Sequence, residues 1–437
     1  MTVSAPKSSS SAREILDEHC VITHFQPIFS VKQKSVIGVE ALSRGINPET
    51  REIISPLTLF RMAKSENLSR ELEQVCRQTA LDSFVSLRDN PESMILFLNY
   101  DPTEVSGVQA TDPTLLFLNY DAAQLDRQGN SADALVNEVQ RLGLDPSRVA
   151  VEVLESRFED VQLLKQSLDR LRERGFLLVL DDVGAGHSNL DRIPLIRPDI
   201  IKIDRSLITH IDTDYHKQET FKSLAQLARK IGSLVVGEGV ETEGEALVAL
   251  ELGADLLQGF HLARPQDPGL LPAALDTAGV EHLARQYKAH MVRKINERKT
   301  QHRRYAIIQN EILCELSNAR VSSFDEVLHR LIQRYPQVEA LYVMDEAGIQ
   351  VTDTICAFRS EAPRGRLMFR PAAKGADHSL KEFYYVLLDV ELQKYTTDPY
   401  VSLASGNICR TISTCFRDGN NTKLYILCID VVTGLSN

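Results

Sequence analysis

The sequence predicts an α/β protein in which a closed barrel of strands and helices is followed by a long helix and a smaller α+β domain. Three observations lead to this prediction. Short apolar runs alternate with amphipathic stretches from about residue 14 to residue 275. Residues 280–319 then contain neither Gly nor Pro, and the remainder alternates strand-like runs with turn residues. At 437 residues the chain is long enough for two or three domains.

The apolar runs of the first domain have the composition of strands that are buried on both faces. The clearest runs are Val36–Val39, Ile95–Leu98, Leu115–Leu118, Val149–Val153, Phe176–Leu180, Ile200–Ile203 and Leu234–Val236. Helical patterns lie between several of them, at Leu68–Leu87, Ala132–Leu142, Gln162–Arg174 and Lys217–Ile231. This alternation predicts a parallel sheet. Six or seven such units in about 250 residues fit a closed, TIM-like (β/α)8 barrel better than an open sheet.

The rest of the chain has a different character. Residues 276–320 are predicted to form one long linker helix, and Lys299–Arg304 marks where a break would fall because apolar residues are sparse there. This helix is either a solvated spacer or, as we favour, an element that pairs with its copy in a homodimer. In residues 321–437, a helix (Ser323–Arg334), a hairpin, a helix near Leu380–Leu392 and a second hairpin predict a small α+β domain. The polar, Ser-rich residues 1–13 are predicted to be a disordered tail.

Composition excludes several classes of protein. The formal net charge of −11 argues against a nucleic-acid polymer or an anionic membrane as the partner. The seven cysteines have no metal-finger spacing, which is typical of reduced thiols in a cytosolic protein. No stretch approaches the roughly 18 apolar residues of a membrane span. We therefore expect a cytoplasmic protein.

Acidic side chains stand at the ends of apolar runs in the first domain. They are Glu40, Glu152 with Glu155, Asp181 with Asp182, Asp204 two residues after Lys202, and Glu238 with Glu241. Any one of them could cap the following helix, but five strands in succession predict carboxylates around one mouth of a barrel. Such a cluster requires cations, and oxygen ligands select Mg²⁺ or Mn²⁺. Paired hard metals beside a lysine suit the attack of water on a phosphodiester.

Short motifs surround these acidic residues. In chain order they are FQPIFS (Phe25–Ser30), VEALSR around Glu40-Ala41-Leu42, VEVLES (Val151–Ser156), LDDVGAGHSNLDRI, IKIDRSLI (Ile201–Ile208), GEGVETE (Gly237–Glu243) and LGADLLQGFHLARP (Leu252–Pro265). Together they resemble the EAL family of cyclic-di-GMP phosphodiesterases, over roughly Leu16–Pro265. The resemblance implies a metal-dependent enzyme that converts cyclic-di-GMP to linear pGpG.

The resemblance also implies a role for each matched position. The metal ligands would be Glu40, a strand-two asparagine, Glu152, Asp181, Asp182 and Glu238, holding two Mg²⁺ or Mn²⁺ ions. Glu40, Lys202 and Glu238 would form the catalytic set, with Lys202 orienting or activating the attacking water and Glu238 as general base. The substrate would be bound by Gln26, Leu42, Arg44, Asp204, Glu241 and Gln258. Glu155 would anchor the loop that begins at Asp182.

Three departures from the family pattern stand out. The segment LFLNYD occurs twice, at Leu96–Asp101 and Leu116–Asp121. Spacing from Glu40 favours Asn99 as the strand-two ligand, whereas spacing to Glu152 favours Asn119, so both stay open. The loop after Asp182 carries Val183, Ala185, His187 and Asn189 where Phe, Thr, Tyr and Ser are usual, and Leu154 replaces a common Thr. These changes leave every metal-ligand carboxylate in place.

The C-terminal segments VSSFDEVLHRLIQRYPQVEALYVMDEAGIQVTDT and SLASGNICRTISTCF…KLYILCIDV resemble the PAS/CACHE-like domain of YkuI-type proteins, which follows an EAL barrel through a long helix. Such domains sense a small ligand or mediate dimerisation. Candidate pocket residues are Tyr395, Arg410 and Asp430, for which a structural role is the simpler interpretation. The ligand is not evident from the sequence.

Three functions compete at this point. We favour the phosphodiesterase, because the metal carboxylates and Lys202 are all present. A receptor that binds cyclic-di-GMP without cutting it is the alternative. A sugar-phosphate aldolase would need a Schiff-base lysine, and carboxylates around Lys202 would keep it protonated and poorly nucleophilic.

Overall fold

The computed structural model describes residues 11–87, 94–100, 131–153, 161–185, 190–357, 371–388, 392–402, 405–420 and 423–434. The chain divides into two compact units, Met1–Met291 and Val292–Asn437. The described helices of the first unit are α1 (Ala12–Asp17), α2 (Pro56–Ser65), α3 (Ser69–Val85), α4 (Ser131–Arg141), α5 (Val161–Glu173), α6 (Ile193–Ile196), α7 (Arg205–Ile208), α8 (Tyr215–Ile231), α9 (Glu243–Leu252) and α10 (Leu271–Ala274).

The strands of the first unit form a closed barrel. They are β1 (Val21–Ser30), β2 (Ser35–Ile46), β3 (Ile53–Ile54), β4 (Ile95–Tyr100), β5 (Val149–Val153), β6 (Leu177–Val183), β7 (Ile200–Ile203), β8 (Leu234–Gly237) and β9 (Leu256–Leu257). The order β1-β9-β8-β7-β6-β5-β4-β2 closes because β1 also pairs with β2, while β3 extends β2 outside the ring. The described part of the chain thus confirms the predicted barrel with surrounding helices.

Strand β1 is antiparallel to its neighbours and was not among the apolar runs from which the parallel sheet was predicted. From β2 to β9 the barrel neighbours are parallel, but β1 runs antiparallel to both β2 and β9. The reason is the short connection of residues 31–34, since a parallel pair needs a crossover of a dozen or more residues. Phe25–Ser30 was interpreted only as a motif, although its position just before this connection was a signal for a hairpin.

The predicted helices of the first unit are found close to the expected bounds. α3, α4, α5 and α8 match the four helical patterns to within two residues at each end, and the run Leu115–Leu118 lies outside the described residues. Helix α1 begins inside the segment predicted as a disordered tail. Ser11 caps it by accepting a hydrogen bond from the backbone of Glu14, and the backbone N–H of Ser11 donates in return to the Glu14 carboxylate. This capping box fixes the start of the helix at Ala12.

The centre of the barrel is filled by one apolar layer that receives a side chain from nearly every strand. This inner layer consists of Ile28, Phe97, Ala150, Val179, Ile200, Val236 and Leu256. Strand β2 contributes Gly38, where an added Cβ would lie 2.4 Å from the carbonyl oxygen of Ile95 and 2.7 Å from the Phe97 ring. The larger core lies between the outer faces of the strands and the helices. The inner layer closes the barrel below the mouth at which the strands end.

Helix α11 (Ala278–Ser317) begins in the first unit and ends in the second. It is continuous, so the break considered near Lys299–Arg304 does not occur. The second unit also contains α12 (Phe324–Ile332), α13 (Glu382–Leu388) and strands β10 (Val338–Asp345), β11 (Ile355–Cys356), β12 (Lys394–Thr396), β13 (Tyr400–Val401), β14 (Ile408–Arg417) and β15 (Leu424–Gly434). Their antiparallel sheet has the order β11-β10-β15-β14-β12, with β13 beside β14. This agrees with the predicted small domain after a long helix.

The two faces of this second sheet are covered differently. One face packs on α11 and α12 through residues such as Ile312, Leu328 and Ile429. The other packs on α13 through Phe383 and Leu387. All seven cysteines are free thiols. None of the described helices combines the length and the apolar character that a membrane crossing requires.

Candidate active site

The polar side chains at the barrel mouth come from alternate positions along the strands of the first unit. In each parallel barrel strand, the residue two positions after the one in the inner layer is polar. These residues are Glu40, Asn99, Glu152, Asp181, Lys202, Glu238 and Gln258. In the reversed strand β1 the corresponding residue is Gln26, two positions before Ile28. Since alternate residues share a face of a strand, all eight side chains point into the same mouth.

Lys202 lies at the centre of this cluster. Its Nζ lies 2.6 Å from Oε1 of Glu238 and 2.7 Å from Oε1 of Glu152. It also lies 3.2 Å from Oδ1 of Asp181 and 3.4 Å from Oε2 of Glu40. The Lys202 side chain is 1% exposed. One buried ammonium therefore faces carboxylates from four other strands or strand ends.

A β-bulge brings both carboxylates of the Asp181–Asp182 pair to the mouth. The register between β6 and β7 shifts between Leu180 and Val183, so two residues of β6 stand against one residue of β7. Asp182 adopts a positive φ of 55° at this point. Consecutive strand residues normally point to opposite faces, and a bulge removes that restriction. As a result, oxygens of Asp181, Asp182 and Glu238 lie within 4.8 Å of one another.

Two amides contact Glu40, and a third contacts one of these two. Nε2 of Gln258 donates a 2.6 Å hydrogen bond to Oε2 of Glu40 and lies 3.3 Å from Oε1 of Gln26. Nε2 of Gln26 donates to the carbonyl oxygen of Ala263 at 3.1 Å. Nδ2 of Asn99 lies 3.4 Å from Oε1 of Glu40, and Asn99 is opposite Glu152 in the β4–β5 ladder. The structure thus places Asn99 between two of the predicted metal ligands.

Burial and mutual repulsion shift the pKa values of the carboxylates upward. Burial is the main reason why the pKa values of Glu152, Asp181 and Glu238 are raised. The charge of Asp181, followed by burial, raises the pKa of Asp182 to about 7. Burial opposes the charge of Lys202, but the surrounding carboxylates outweigh it and raise the pKa of Lys202. Upward shifts of this kind are expected where several buried carboxylates share one ammonium as their counter-charge.

This cluster fits a hard divalent cation. When ionised, Glu40, Glu152, Asp181, Asp182 and Glu238 carry five negative charges against one positive charge on Lys202, which leaves −4. Oε2 of Glu152 is buried and accepts no hydrogen bond from any residue that the structure describes. An oxygen-only set of this kind suits Mg²⁺ or Mn²⁺ and offers nothing to a soft metal.

The other predicted substrate residues lie outside this buried cluster. Leu42 and Arg44 continue along β2 on the face of Glu40 and are half-buried, and Nη1 of Arg44 donates to the carbonyl oxygen of Ser43 at 2.8 Å. Asp204 caps helix α7 by accepting a 2.9 Å hydrogen bond from the backbone of Ser206. Its charge also helps to raise the pKa of Asp182, after the charge of Asp181 and burial, whereas the charge of Lys202 lowers it.

Glu241 is placed differently from the pocket position expected for it. Its side chain is exposed, and Oε1 lies 3.0 Å from Nη2 of Arg205, which is also exposed. The backbone of Glu241 donates to the capping residue Glu245 at 3.0 Å. The structure therefore does not bring Glu241 together with Lys202 and its neighbours.

Several predictions concern residues outside the described ranges. They are Asn119, Leu154, Glu155, His187 and Asn189. In the second unit, Asp430 accepts a 2.6 Å hydrogen bond from Oγ1 of Thr411. Tyr395 lies on the same face of the sheet, whereas Arg410 is opposite Val431 and belongs to the face that packs on α11 and α12. The three candidate pocket residues are thus not brought together.

Comparison with known proteins decides the family of the first unit. The family model for the EAL domain matches residues 10–265, more than half of the chain. The chain belongs to the EAL family. Among its relatives, the EAL-domain containing protein YkuI of Bacillus subtilis is 25% identical over 398 residues, which cover 90% of this chain and 91% of YkuI. The bifunctional diguanylate cyclase/cyclic di-GMP phosphodiesterase MucR of Pseudomonas aeruginosa is 28% identical over 269 residues, 60% of this chain and 36% of MucR.

Solved structures show the same folds. The crystal structure of B. subtilis YkuI, in complex with substrate c-di-GMP and calcium, matches with a TM-score of 0.73 and 23% identity over 97% of this chain and 99% of YkuI. This likeness extends through both units of this EAL-family chain, although at this identity it concerns the fold alone. The c-di-GMP complex of the PaMucR phosphodiesterase matches with a TM-score of 0.50 and 26% identity over 59% of this chain and 97% of that one.

Proposed function

We propose that the EAL barrel of this protein hydrolyses cyclic-di-GMP to linear pGpG with the aid of two Mg²⁺ or Mn²⁺ ions. The observation that carries the proposal is the convergence of Glu40, Glu152, Asp181 and Glu238 on Lys202, with Asp182 beside them. The c-di-GMP complexes of YkuI and PaMucR support the choice of nucleotide. The reaction adds water across one phosphodiester, so that one P–O bond forms and one ester P–O bond of the ring breaks.

Different residues of the chain have different roles in this reaction. Glu238, whose carboxylate lies 2.6 Å from the Lys202 ammonium, accepts the proton of the attacking water. Lys202 orients that water and keeps Glu238 at the centre of the mouth. Gln258 holds Glu40 in position by a direct hydrogen bond and is itself in contact with Gln26. Arg44 contacts the dinucleotide from the outer part of β2.

Glu40, Asn99, Glu152, Asp181, Asp182 and Glu238 would hold the cations. Divalent cations at this place neutralise phosphate charge and make water a better nucleophile. Support comes from the net charge of the cluster and from the buried Glu152 oxygen, which has no hydrogen bond within the described part of the chain. The β6 bulge supports a second ion, because it adds the Asp182 carboxylate to those of Asp181 and Glu238.

The test is to incubate the purified full chain with cyclic-di-GMP and MnCl₂ or MgCl₂, with and without EDTA, and to separate the products by chromatography. We expect pGpG that requires the metal and disappears in Glu40→Gln. The matched control is Glu18→Gln, which changes an exposed glutamate at the end of α1 and should retain activity. Intact nucleotide together with measurable binding would instead identify a cyclic-di-GMP receptor.

The second unit is proposed to regulate the barrel as a PAS/CACHE-like sensor or as a dimerisation module. Support comes from its position after the long helix α11 and from the same two-part fold in YkuI. Dimerisation through this helix and the binding of a small ligand by this unit remain predictions from the sequence.

A further inference from the structure

Strand β1 carries a histidine on the face that points into the active-site mouth. In the β1–β2 ladder Gln26 is opposite Glu40, His24 is opposite Leu42, and Ile22 is opposite Arg44. Directly opposite residues of an antiparallel pair have Cβ atoms about 5 Å apart on the same face. His24 therefore shares the face of Gln26 and Glu40, whose side chains meet at Gln258.

On this face, His24 lies among the residues that are expected to bind the substrate. The EAL resemblance assigns Gln26, Leu42 and Arg44 to substrate binding. His24 stands two residues from Gln26 on the same strand and directly across from Leu42, with Arg44 the next residue outward on the neighbouring strand. A ligand that touches Gln26, Leu42 and Arg44 together must pass over His24. Because His24 is only half-buried, its ring is accessible to such a ligand.

We propose that His24 contacts a guanine base of the bound cyclic dinucleotide and thereby contributes to base specificity. This inference rests on the proposed function of the barrel. The neutral imidazole has one donor and one acceptor, and guanine presents both acceptors (O6 and N7) and N–H donors at its edges. A phosphodiester offers acceptors only, and the nearby guanidinium of Arg44 is better suited to it.

The surroundings of His24 keep its ring neutral near pH 7. Burial and the charge of Arg44 lower the pKa of His24, and the carboxylate of Asp267 opposes them only in part. Asp267 belongs to the segment that follows Gln266, which pairs with Phe25 through two backbone hydrogen bonds of 2.8 and 2.9 Å. A neutral ring retains the one donor and one acceptor that the proposed contact requires.

The experiment measures the binding of cyclic-di-GMP and cyclic-di-AMP to the full chain by titration calorimetry in CaCl₂, the cation found with c-di-GMP in the YkuI crystal. The variants are His24→Ala and His24→Asn, since Asn retains a donor and an acceptor. The control is His302→Ala, which removes an exposed histidine from α11. Circular dichroism confirms folding, and Mn²⁺ titration without nucleotide reports on the carboxylate cluster.

We expect His24→Ala to weaken cyclic-di-GMP binding by about 10-fold, or ~1.4 kcal/mol, to change cyclic-di-AMP binding by less than about 3-fold, and to leave Mn²⁺ binding unchanged. His24→Asn should recover part of the loss. An unchanged affinity, or an equal loss for both nucleotides, would overturn the base contact while the phosphodiesterase proposal stands. Wild-type protein that binds no cyclic-di-GMP would overturn both. Wild-type protein that binds without hydrolysis overturns only the enzyme, because His24 is tested by binding.

Discussion

The ammonium nitrogen of Lys202 lies 2.7 Å from Oε1 of Glu152, and the two side chains are 1% and 0% exposed. Such a pair is sensitive to the loss of either partner. If the lysine is removed, the glutamate and its neighbours stay buried without a counter-charge, whereas an exposed pair can be resolvated by water. Lys202 therefore has a structural role in addition to the catalytic role proposed for it.

Replacing Lys202 by Met should destabilise the protein strongly when EDTA is present. We expect the free energy of unfolding of the first unit to fall by about 3–5 kcal/mol, as for other broken buried pairs. Added MnCl₂ should restore part of the loss, since a cation that binds only the native state stabilises it. Thermal unfolding followed by circular dichroism, in EDTA and in MnCl₂, measures both effects.

The matched control is Lys32→Met, which breaks an exposed pair. Nζ of Lys32 lies 2.9 Å from Oδ1 of Asp255, with side chains 47% and 32% exposed. This change should cost at most about 1 kcal/mol and should not respond to Mn²⁺. Equal losses in the two variants would contradict the role assigned to Lys202.

Asp182 should contribute both charge and an unusual backbone conformation. Asp182→Asn removes the carboxylate but keeps a residue type that tolerates a positive φ, whereas Asp182→Ala removes both. We expect both variants to bind one Mn²⁺ instead of two and to hydrolyse cyclic-di-GMP about 100-fold or more slowly, because a group that stabilises transition-state charge is lost. Calorimetry gives the stoichiometry, and product chromatography gives the rate.

The two Asp182 variants should differ in stability. The left-handed conformation costs an alanine about 1–2 kcal/mol, so Asp182→Ala should unfold more easily than Asp182→Asn. If the two variants have the same free energy of unfolding, the strain attributed to the bulge is absent. Two bound Mn²⁺ ions in either variant would exclude Asp182 as a ligand.

His378 should make the second unit less stable in mild acid. Burial lowers the pKa of His378 to about 4, while Nε2 lies 2.8 Å from Oε1 of Gln350 and the ring stacks on Tyr342. The unfolded chain takes up this proton near its ordinary pKa of about 6.5. Since the unfolded state then binds more protons, the contribution of His378 is complete above about pH 6.5 and is lost as the pH falls towards 4.

The measurement compares wild type with His378→Asn in urea unfolding at pH 7.5 and pH 5.0. We expect the stability advantage of the wild type to shrink by about 1–2 kcal/mol at the lower pH. The comparison with the variant is needed because Asp430, whose pKa is raised by burial to about 6, has the opposite dependence and is common to both proteins. An advantage that does not change with pH would show that His378 is charged or exposed.

The ends of the strands could be predicted from the sequence, because they depend on the local pattern of apolar and polar residues. Apolar runs such as Ile200–Ile203 gave the strands, and the acidic residues that follow them gave the mouth of the barrel. The reversal of β1 was not predicted, because the pattern of apolar residues is the same for a parallel and an antiparallel neighbour. Only the short connection of residues 31–34 distinguished the two.

The sequence predicted which residues belong to the site better than it predicted which of them are in contact. The sequence left Asn99 and Asn119 equally open, and the structure places Asn99 in register with Glu152. Glu241 and Glu238 stand three residues apart in one motif, yet Glu238 faces Lys202 while Glu241 pairs with the exposed Arg205. Side-chain direction after a strand ends depends on the turn that follows, which the motif alone does not specify.

The sequence by itself determined the barrel, its order of strands and helices, and the residue types that gather at one mouth, because the two-residue period of a strand is a local property. The tertiary structure decided which groups touch. Glu40 is 59 residues from Asn99 and 218 residues from Gln258, and only closure of the barrel brings them within hydrogen-bond distance. The bulge that turns both Asp181 and Asp182 into the site arises in the same way, from the pairing of β6 with β7.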